Sequence, residues 1–390
     1  MSPKERKSYL IAIKRRYLKV SKAEKQVILD EFCHVCGYNR KYAIRLLNKR
    51  NNFPPKRKPG RKSRYDSPNF VSALKRIWFA SDQMCSKRLK AVIPLWLPFY
   101  KLHYGELAHE NYQALLDISP ASIDRVLKPV RAKYAQKGLT GTKPGTLLKN
   151  QIPIRSGTWD ITEPGFMEAD TVAHCGNSLA GDFVWSLTLT DYYSGWTECR
   201  ATWGKGATGV VTQIKTIEQA LPFPLKGFDC DNGSEFLNYH LLRYFQEHPR
   251  LIQFTRSRPY KKNDNAHVEQ KNWTHVRQLF GYDRFDDKAL INKMNSLYEK
   301  EWSLFQNYFC PTMKLKEKTR KNSRYQKKYF SPQTPYQRLL DSNALDENTK
   351  EKLTEQYKRL DPFQLKAKIE RKLKAIFKLV SVTQNVRIRI

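Results

Sequence analysis

The hydrophobic patterns in the middle of the chain predict an α/β domain. Between Asp182 and Thr190, apolar residues alternate with smaller or polar ones, which is the period-2 pattern of a strand. Between Ala207 and Ala220, apolar residues recur at the 3.6-residue period of a helix. Similar patterns predict strands at 165–172, 196–201, 225–231 and 251–255, and helices at 235–247 and from about Asn265. The order βββαβαβα predicts a mixed five-stranded sheet, with a meander of three strands followed by crossover-linked strands.

Helical patterns occupy the N-terminal third of the chain. Residues 21–50 predict two short helices around a turn at Gly37. The second carries Arg40, Lys41 and Arg45, which suits a recognition helix in the major groove of DNA. Helical hairpins are common, so the hairpin alone is weak evidence for a helix-turn-helix. The prediction depends on the basic residues of the second helix. The apolar residues expected at helical spacing in this pair are Val27, Ile28, Phe32, Val35, Tyr42, Ile44, Leu46 and Leu47.

A linker rich in proline and basic residues, 51–65, follows this pair. Its composition cannot bury a core, so it is either a charged spacer or a segment that lies along phosphates or in a minor groove. Residues 70–134 predict a second unit resembling a helix-turn-helix, interrupted by Pro94 and Pro98. The basic residues near the linker that we expect to contact DNA are Lys56, Arg57, Lys58, Arg61, Lys62 and Arg64.

The charge of the chain indicates that its partner is a polyanion. The 390 residues include 71 Lys and Arg against 37 Asp and Glu, a formal net charge of +34. Basic residues concentrate at 1–64 and 313–330, whereas 165–230 holds more acidic than basic residues. If the charge served only to keep the protein soluble, basic and acidic residues would not need to be segregated along the chain. Nucleic acid, the usual polyanion, is therefore the expected partner.

Other features narrow the class of protein. No apolar run reaches the roughly 18 residues of a membrane span, and the charged start lacks the apolar region of a secretory signal. The seven cysteines are odd in number and scattered, which argues against a disulfide framework. Cys33 and Cys36 have the spacing of half a zinc site, but no suitable second pair follows, so buried structural cysteines are favoured. We therefore expect a cytoplasmic, nucleoid-associated protein with no membrane partner.

Three carboxylates occupy positions that suggest a metal site. Asp170 lies inside the first predicted strand, Asp231 at the end of the fourth, and Glu269 near the start of the last helix. Adjacent parallel strands would bring the aspartates together, and the helix could bring the glutamate over them. Crowded carboxylates repel one another unless cations neutralise them, and oxygen ligands without a His or Cys cluster favour Mg²⁺ or Mn²⁺. Two such ions can activate an attacking oxygen and stabilise a leaving one at a phosphodiester.

Each carboxylate also has an ordinary structural interpretation. Asp231-Asn-Gly is good turn chemistry, and Glu269 could be an exposed helix residue. Asp170 is harder to explain in this way, because an unpaired carboxylate inside an apolar strand is costly. Their joint placement in the βββαβαβα order favours the functional interpretation.

The segments around these carboxylates resemble the motifs of a known family. Phe228-Asp-Cys-Asp231-Asn-Gly-Ser-Glu-Phe236 resembles the second-aspartate motif of retroviral-integrase-type cores, and Glu-Ala-Asp170-Thr matches the first. The segment 258–272 resembles the glutamate motif of insertion-sequence transposases that share this core. The resemblance covers about 143–287 closely, and the separation of Asp231 and Glu269 falls within the family's range.

This resemblance implies an RNase H-like fold and a DDE transposase, with Asp170, Asp231 and Glu269 as catalytic ligands of two Mg²⁺ or Mn²⁺ ions. It also implies neighbours that touch DNA (Lys261, Lys262 and Lys271) or steady the site (Asn232, Asn265 and His267). His267 could equally be a packing histidine, and Lys261 and Lys262 part of a solvated loop. The sequence departs from retroviral integrases in having no His-His-Cys-Cys zinc domain. After Pro311 it is basic without a family signature, and apolar alternation between Val380 and Ile390 predicts a strand of a small β domain.

The predicted fold class is therefore multidomain. An α-helical DNA-binding region precedes an α/β RNase H-like core with a mixed five-stranded sheet, and a basic C-terminal region follows. The predicted divisions are a helix-turn-helix domain at 1–55, a linker at 56–66, a second helical DNA-binding domain at 67–142, the catalytic core at 143–300, and the C-terminal region at 301–390.

The expected function is transposition. The protein would bind the terminal inverted repeats of a mobile element, hydrolyse a phosphodiester there and join the freed end to target DNA. Its partners would be double-stranded element ends and target DNA, and one core per end implies at least a homodimer assembled on DNA. The alternatives are a domesticated DNA-binding regulator with an inactive core, a structure-selective RNase H-like nuclease, and a ribosomal or nucleoid packaging protein.

Overall fold

The computed structural model describes residues 1–49, 64–132, 161–204, 206–231, 233, 235–257, 266–321 and 324–387. The chain divides into two compact units, residues 1–63 and 64–390. Each unit has its own hydrophobic core.

The described part of the first unit consists of helices α1 (Pro3–Tyr17), α2 (Lys22–Cys36) and α3 (Arg40–Asn48). The predicted pair around Gly37 is confirmed: Gly37 ends α2 in the left-handed region at φ 67°. Helix α1 was not predicted, and it changes which residues are buried. The core consists of Ile13, Tyr17, Ile28, Leu29, Phe32, Cys36, Ala43 and Leu47. The apolar residues expected at helical spacing all belong to α2 and α3, and four of them, Val27, Val35, Tyr42 and Ile44, are exposed.

Four helices begin the second unit: α4 (Pro68–Ala80), α5 (Ser86–Tyr104), α6 (His109–Asp117) and α7 (Pro120–Arg131). The prediction that prolines interrupt this region was wrong, because α5 continues through Pro94 and Pro98. Both prolines lie four residues apart on the exposed side of α5. The opposite side buries Leu89, Val92, Ile93, Trp96, Leu97 and Tyr100, and this burial outweighs the lost backbone hydrogen bonds.

A mixed five-stranded sheet forms the centre of the second unit, as the hydrophobic pattern predicted. Its strands are β1 (Phe166–Ala173), β2 (Val184–Asp191), β3 (Thr197–Trp203), β4 (Gly227–Cys230) and β5 (Gln253–Arg256). The order across the sheet is β3-β2-β1-β4-β5. Strands β1, β2 and β3 form an antiparallel meander, while β4 pairs parallel to both β1 and β5. This sheet with its crossover helices is consistent with an RNase H-like α/β core.

The helices that follow the strands are α8 (Ala207–Ala220), α9 (Tyr239–Gln246) and α10 (Ala266–Lys271). Helix α9 begins four residues later than predicted, because the Asn238 side chain caps it by accepting a hydrogen bond from the Leu241 amide at 2.9 Å. Helix α10 continues into a π-helical segment, Asn272–Arg277, and the short helix α11 (Gln278–Phe280).

The rest of the chain is mostly helical and contains one hairpin. The helices are α12 (Ala289–Leu297), a π-helical segment (Tyr298–Trp302), α13 (Ser303–Phe309), α14 (Pro335–Leu340), α15 (Glu347–Lys358) and α16 (Pro362–Arg387). The basic segment after Pro311 contains the antiparallel hairpin of β6 (Leu315–Lys321) and β7 (Arg324–Tyr329), which was not predicted.

The strand predicted near the C-terminus is wrong for the described residues, because Val380, Val382 and Val386 belong to helix α16. The alternation that suggested a strand is broken at Gln384. The buried residues Ile369, Ile376 and Val380 follow the seven- and four-residue spacings of a helix.

One hydrophobic core extends through the second unit, from Phe70 in α4 to Val380 in α16. Trp96 of α5 illustrates this continuity: it donates a hydrogen bond to the Phe309 carbonyl at 3.2 Å and packs edge-on against Phe363. The predicted helical, catalytic and C-terminal segments are thus packed together around the sheet. Among the described helices, none is both long and apolar enough to cross a membrane.

Candidate active site

The strand register brings the two predicted aspartates together. In the parallel pair of β1 and β4, Ala169 lies opposite Cys230. Asp170 follows Ala169 on β1, and Asp231 follows Cys230 at the end of β4. The two aspartates therefore occupy the next pair of positions along the two strands. Because both follow the same pairing, their side chains lie on the same face of the sheet.

Local hydrogen bonds hold each aspartate. The Asp170 Oδ1 atom accepts from the Thr171 amide at 2.7 Å, and its Oδ2 accepts from the side-chain amide of Asn272 at 2.6 Å. The Asp231 Oδ1 accepts from the Gly233 amide at 2.8 Å, which is the turn chemistry expected of Asp-Asn-Gly. The structural and functional interpretations of Asp231 are therefore compatible, since the turn orients the carboxylate.

Helix α10 lies against this part of the sheet. The Val268 amide donates to the Glu168 Oε2 at 3.3 Å, and Asn272 reaches Asp170 from the residue after α10. Position 269 is next to Val268 and three residues before Asn272, a spacing that shares one side of a helix. The backbone of Glu269 is thus close to β1, while its side chain lies outside the described part of the structure.

The structure adds carboxylates that the sequence analysis did not single out. Glu168 and Asp229 are fully buried and paired in register, two residues before Asp170 and Asp231 and on the same face. The Asp229 Oδ1 accepts from the Thr255 hydroxyl at 2.6 Å. The signal was present in the sequence, because Glu-x-Asp and Asp-x-Asp place both acids of each pair on one side of a strand.

Glu235 is a further carboxylate at the site. It is 8% exposed, and its Oε1 accepts from the Thr171 hydroxyl at 2.9 Å. Burial raises the pKa of the Cys230 thiol well above its usual value, and Asp231, Asp229 and Glu235 raise it further. The site is therefore strongly anionic.

The carboxylates suit a hard divalent cation. Asp170 and Asp231 present oxygen ligands, which Mg²⁺ and Mn²⁺ prefer, from two adjacent strands. Among the described side chains, no group of three or more His, Cys, Asp and Glu residues is arranged to hold a metal ion. Asp170 and Asp231 supply oxygen donors of the kind that the predicted site requires, and the side chain of the predicted third ligand, Glu269, lies outside the described residues.

Of the residues predicted to surround the site, the side chain of Lys271 is described and the others are not. Lys271 is only 9% exposed, and its ammonium group donates to the Gly195 carbonyl at 3.2 Å. Burial, together with the nearby charges of Arg88 and Arg338, lowers the pKa of Lys271 to about 7. The structure therefore buries this ammonium group beside the Gly195 carbonyl. Asn232, Lys261, Lys262, Asn265 and the side chain of His267 lie outside the described residues.

The predicted DNA-binding residues of the N-terminal region are partly described. Lys41 and Arg45 are exposed on α3, and Arg40, also exposed, forms an ion pair with Asp30. Arg64 forms an ion pair with Asp117 at 2.6 Å. Lys56, Arg57, Lys58, Arg61 and Lys62 lie outside the described residues.

Comparison with known proteins finds no matching family model. The sequence is 39% identical over 331 residues to "Uncharacterized protein y4rM" of Sinorhizobium fredii (strain NBRC 101917 / NGR234), covering 84% of this chain and 93% of that protein. A solved structure, the catalytic core domain of BIV integrase in crystal form I, aligns with 46% of this chain and 95% of its own at 16% identity. Its TM-score is 0.29, so the description of the core depends on the strand order and on the residues themselves.

Proposed function

This chain belongs to the family of the uncharacterized y4rM protein of Sinorhizobium fredii, and we propose that it is a DDE-type DNA transposase. It would bind the terminal inverted repeats of a mobile element and hydrolyse a phosphodiester at each end in a metal-dependent reaction. The freed 3′-hydroxyl would then attack target DNA in a direct transesterification. One core must act at each end, so the proposal includes at least a homodimer assembled on double-stranded DNA.

The observation that carries this proposal is the position of Asp170 within β1 and of Asp231 directly after β4, each next to the paired residues Ala169 and Cys230, with α10 beside them. A structural role alone would not require so many acids on one face of a sheet. Glu168 and Asp229 already occupy that face as buried carboxylates. Adding two partly exposed aspartates increases the repulsion, which bound cations would relieve.

Asp170, Asp231 and Glu269 would hold two Mg²⁺ or Mn²⁺ ions. When bound, such ions polarise the phosphodiester, activate the attacking oxygen and stabilise the leaving one. The protein's own contribution is orientation: Asn272 holds one oxygen of Asp170, and the Gly233 amide holds one of Asp231. Each carboxylate then has a fixed direction before metal or DNA arrives.

DNA binding is proposed from charge and from the exposed part of α3. The net charge of +34 supplies a sequence-independent attraction for phosphates. Lys41 and Arg45 are exposed on one helix of a pair, where they can reach base edges or the backbone.

The decisive experiment follows cleavage and strand transfer with a labelled duplex taken from the inverted repeats that flank the gene. The full chain is compared in Mg²⁺ and in EDTA, beside Asp231→Asn and the control Asp182→Asn, which changes an exposed carboxylate outside the site. We expect metal-dependent joined product from the parent and the control. Asp231→Asn should reduce it by at least 10³-fold, an order of magnitude typical for loss of a catalytic group, while end binding stays unchanged.

The other outcomes discriminate among the alternatives. Binding of the ends without cutting or joining in Mg²⁺ or Mn²⁺ would favour a DNA-binding regulator with an inactive core. Cutting that follows DNA structure and ignores end sequence would favour an RNase H-like nuclease. Loss of end binding together with cleavage in Asp231→Asn would make this aspartate a structural residue.

A further inference from the structure

A pocket of about 320 Å³ lies beside α10, and Gln270 and Lys271 of that helix line it. The described residues that line it include four cationic side chains, Arg88, Lys271, Lys314 and Arg338. They come from α5, the end of α10, the segment before β6, and α14, so the fold assembles the pocket from distant parts of the chain.

Within the described part of the chain none of these four cations forms an ion pair, although the Asp191 carboxylate is near enough to raise the pKa of Lys314 and partly offset its lowering by burial. Lys271 donates to the Gly195 carbonyl at 3.2 Å and Lys314 to the Tyr193 carbonyl at 2.9 Å. Arg88 donates to the Pro311 carbonyl at 2.6 Å. Arg338 donates to the Ser194 carbonyl at 2.8 Å and to Thr312. All of these acceptors are neutral, so the hydrogen bonds position the cations without compensating their charge.

The carboxylate that lines the pocket, Asp191, is already engaged. Its Oδ1 accepts from the Gly165 amide at 2.8 Å, and its Oδ2 accepts from the Ser194 amide and hydroxyl, each at 2.6 Å. It therefore holds the turn between β2 and β3. Removing four cations from water is costly unless an anion compensates them, and Lys271 and Arg338 are each only 9% exposed.

We propose that this pocket binds a phosphate group. Convergent Arg and Lys side chains are the usual ligands of phosphate oxygens, and guanidinium groups can bind them in a bidentate manner. The pocket has room for such a group, and the exposed residues Cys85 and Gln270 at its edge connect it to solvent. The ligand is either a free phosphate or a phosphate of a nucleic-acid backbone.

The position of the pocket favours the backbone as the source, an assignment that rests on the proposed function. Thr190 lines the pocket and pairs with Glu168, two residues before Asp170 on β1. The spacings of residues along and between strands put the Cα atoms of Thr190 and Asp170 about 8 Å apart. A DNA strand with one phosphate at the aspartates could therefore place another, one or two nucleotides away, in this pocket.

The first test measures binding of inorganic phosphate to the metal-free full chain by calorimetry, at an ionic strength matched with chloride. Variants Lys314→Gln and Arg88→Gln each remove one pocket cation, and Lys87→Gln removes an exposed cation next to Arg88 on α5. We expect each pocket variant to weaken phosphate binding about tenfold, the loss for one charge-assisted hydrogen bond, and Lys87→Gln to leave it unchanged. Two pocket variants are used so that misfolding of one does not remove the test.

Equal phosphate affinity in the parent and both folded pocket variants would overturn the proposal, as would absence of phosphate binding in the parent. Neither result depends on cleavage, so a failure here is distinguishable from failure of the transposase proposal.

The second test identifies the source of the phosphate. Inorganic phosphate competes against an element-end duplex in EDTA, with sulfate as a second competing anion. If the pocket binds a phosphate of the DNA backbone, inorganic phosphate should weaken DNA binding by the parent more than chloride at the same ionic strength does. In Lys314→Gln, phosphate and chloride should weaken DNA binding equally. Phosphate binding that DNA does not affect would support the pocket but overturn the backbone as its source.

Discussion

Asn272 links the sheet to the helix that carries Glu269. Its side-chain amide donates to the Asp170 Oδ2 at 2.6 Å, across the boundary between β1 and the π-helical segment. A π-helical turn widens the helix and changes the direction of its side chains, and such turns are frequent at functional sites. Asn272 is therefore placed to orient Asp170 without reacting itself.

Replacing Asn272 by alanine should lower metal-dependent strand transfer about 10- to 100-fold, because partners of metal-binding carboxylates typically contribute that much. Binding of element ends in EDTA should not change, and the lost activity should be partly restored at higher Mn²⁺. The control Asn292→Ala alters an exposed asparagine of α12. If Asn272→Ala lost DNA binding or melted far below the parent, a structural role would replace the orienting one.

His174 belongs to a buried polar chain beside the sheet. It is fully buried, stacks on Phe285 with ring centres 4.9 Å apart, and its Nε2 lies 2.8 Å from the Ser186 hydroxyl. That hydroxyl is 2.7 Å from the Tyr298 hydroxyl. Burial, together with the charge of Arg277, lowers the pKa of His174 to about 3.

This lowered pKa makes stability depend on pH. The folded protein keeps His174 neutral, whereas the unfolded chain binds a proton below about pH 6.5, so the stabilisation is complete above that pH and is lost as the pH falls toward 3. Between pH 6.5 and 5 the loss is about 2 kcal/mol in the free energy of unfolding. Urea titrations at pH 7 and 5 should show a loss about 2 kcal/mol smaller in His174→Gln than in the parent, because the variant keeps only the loss from other groups such as His275, whose pKa burial also lowers. His240→Gln, at an exposed histidine of α9, should behave as the parent, and equal losses in all three proteins would exclude His174 as the cause.

At the scale of elements, two asparagines protect the outer edge of the sheet. Asn307 of α13 accepts from the Thr197 amide at 2.9 Å and donates to the Thr197 carbonyl at 3.0 Å. The Asn295 side chain of α12 likewise accepts from and donates to the backbone of Ala201. Each amide side chain thus pairs with one residue of β3 as a neighbouring strand would, and it covers an edge that could otherwise pair with another chain.

Asn307→Ala should destabilise the second unit by about 3 kcal/mol, because two buried backbone groups lose their partners. Asn307 is fully buried, so water cannot readily replace the lost side chain. Urea unfolding measures the change, and light scattering during refolding should increase as the β3 edge opens. Asn348→Ala, on the exposed side of α15, should leave both measurements near the parent values. A change below about 0.5 kcal/mol in Asn307→Ala would mean that the edge needs no such cover.

The sequence predicted the elements whose patterns are local and missed those set by packing. Alternation along residues 182–190 and the apolar period of 207–220 identified β2 and α8, since each is long and strongly periodic. The hairpin of β6 and β7 was missed because its basic residues carry little apolar alternation. The strand predicted near Val380 failed because a short alternating run ends a long amphipathic helix.

The same distinction applies to the candidate site. Asp170 and Asp231 could be brought together from the sequence, because adjacent parallel strands place a residue inside β1 beside the residue that follows β4. Asn272 could not, since its contact depends on how α10 lies over the sheet. The family resemblance implies that Lys271 touches DNA, and residues two positions apart on a helix, such as Glu269 and Lys271, differ by about 200° in direction. That rotation explains why Lys271 contacts Gly195.

At the scale of the whole molecule, each of the two units is stabilised by its own hydrophobic core. The first unit packs around Phe32 and Leu47, and the described residues of the second unit pack around an independent core. The candidate active site lies entirely in the second unit. Removing residues 1–63 should therefore leave the catalytic fold intact.

A chain that begins at Arg64 should keep the melting temperature of the second unit but lose its preference for element ends over a scrambled duplex. It also loses many basic residues, so the slope of log affinity against log salt should become less negative by about 0.9 for each phosphate contact removed. Fluorescence anisotropy between about 50 and 200 mM salt measures both effects, since specific and non-specific binding respond differently over that range. A full chain carrying Lys41→Gln and Arg45→Gln tests whether α3 alone accounts for the lost preference. If the shortened chain still prefers element ends, recognition belongs to the helices between residues 68 and 131, and the first unit contributes only electrostatic affinity.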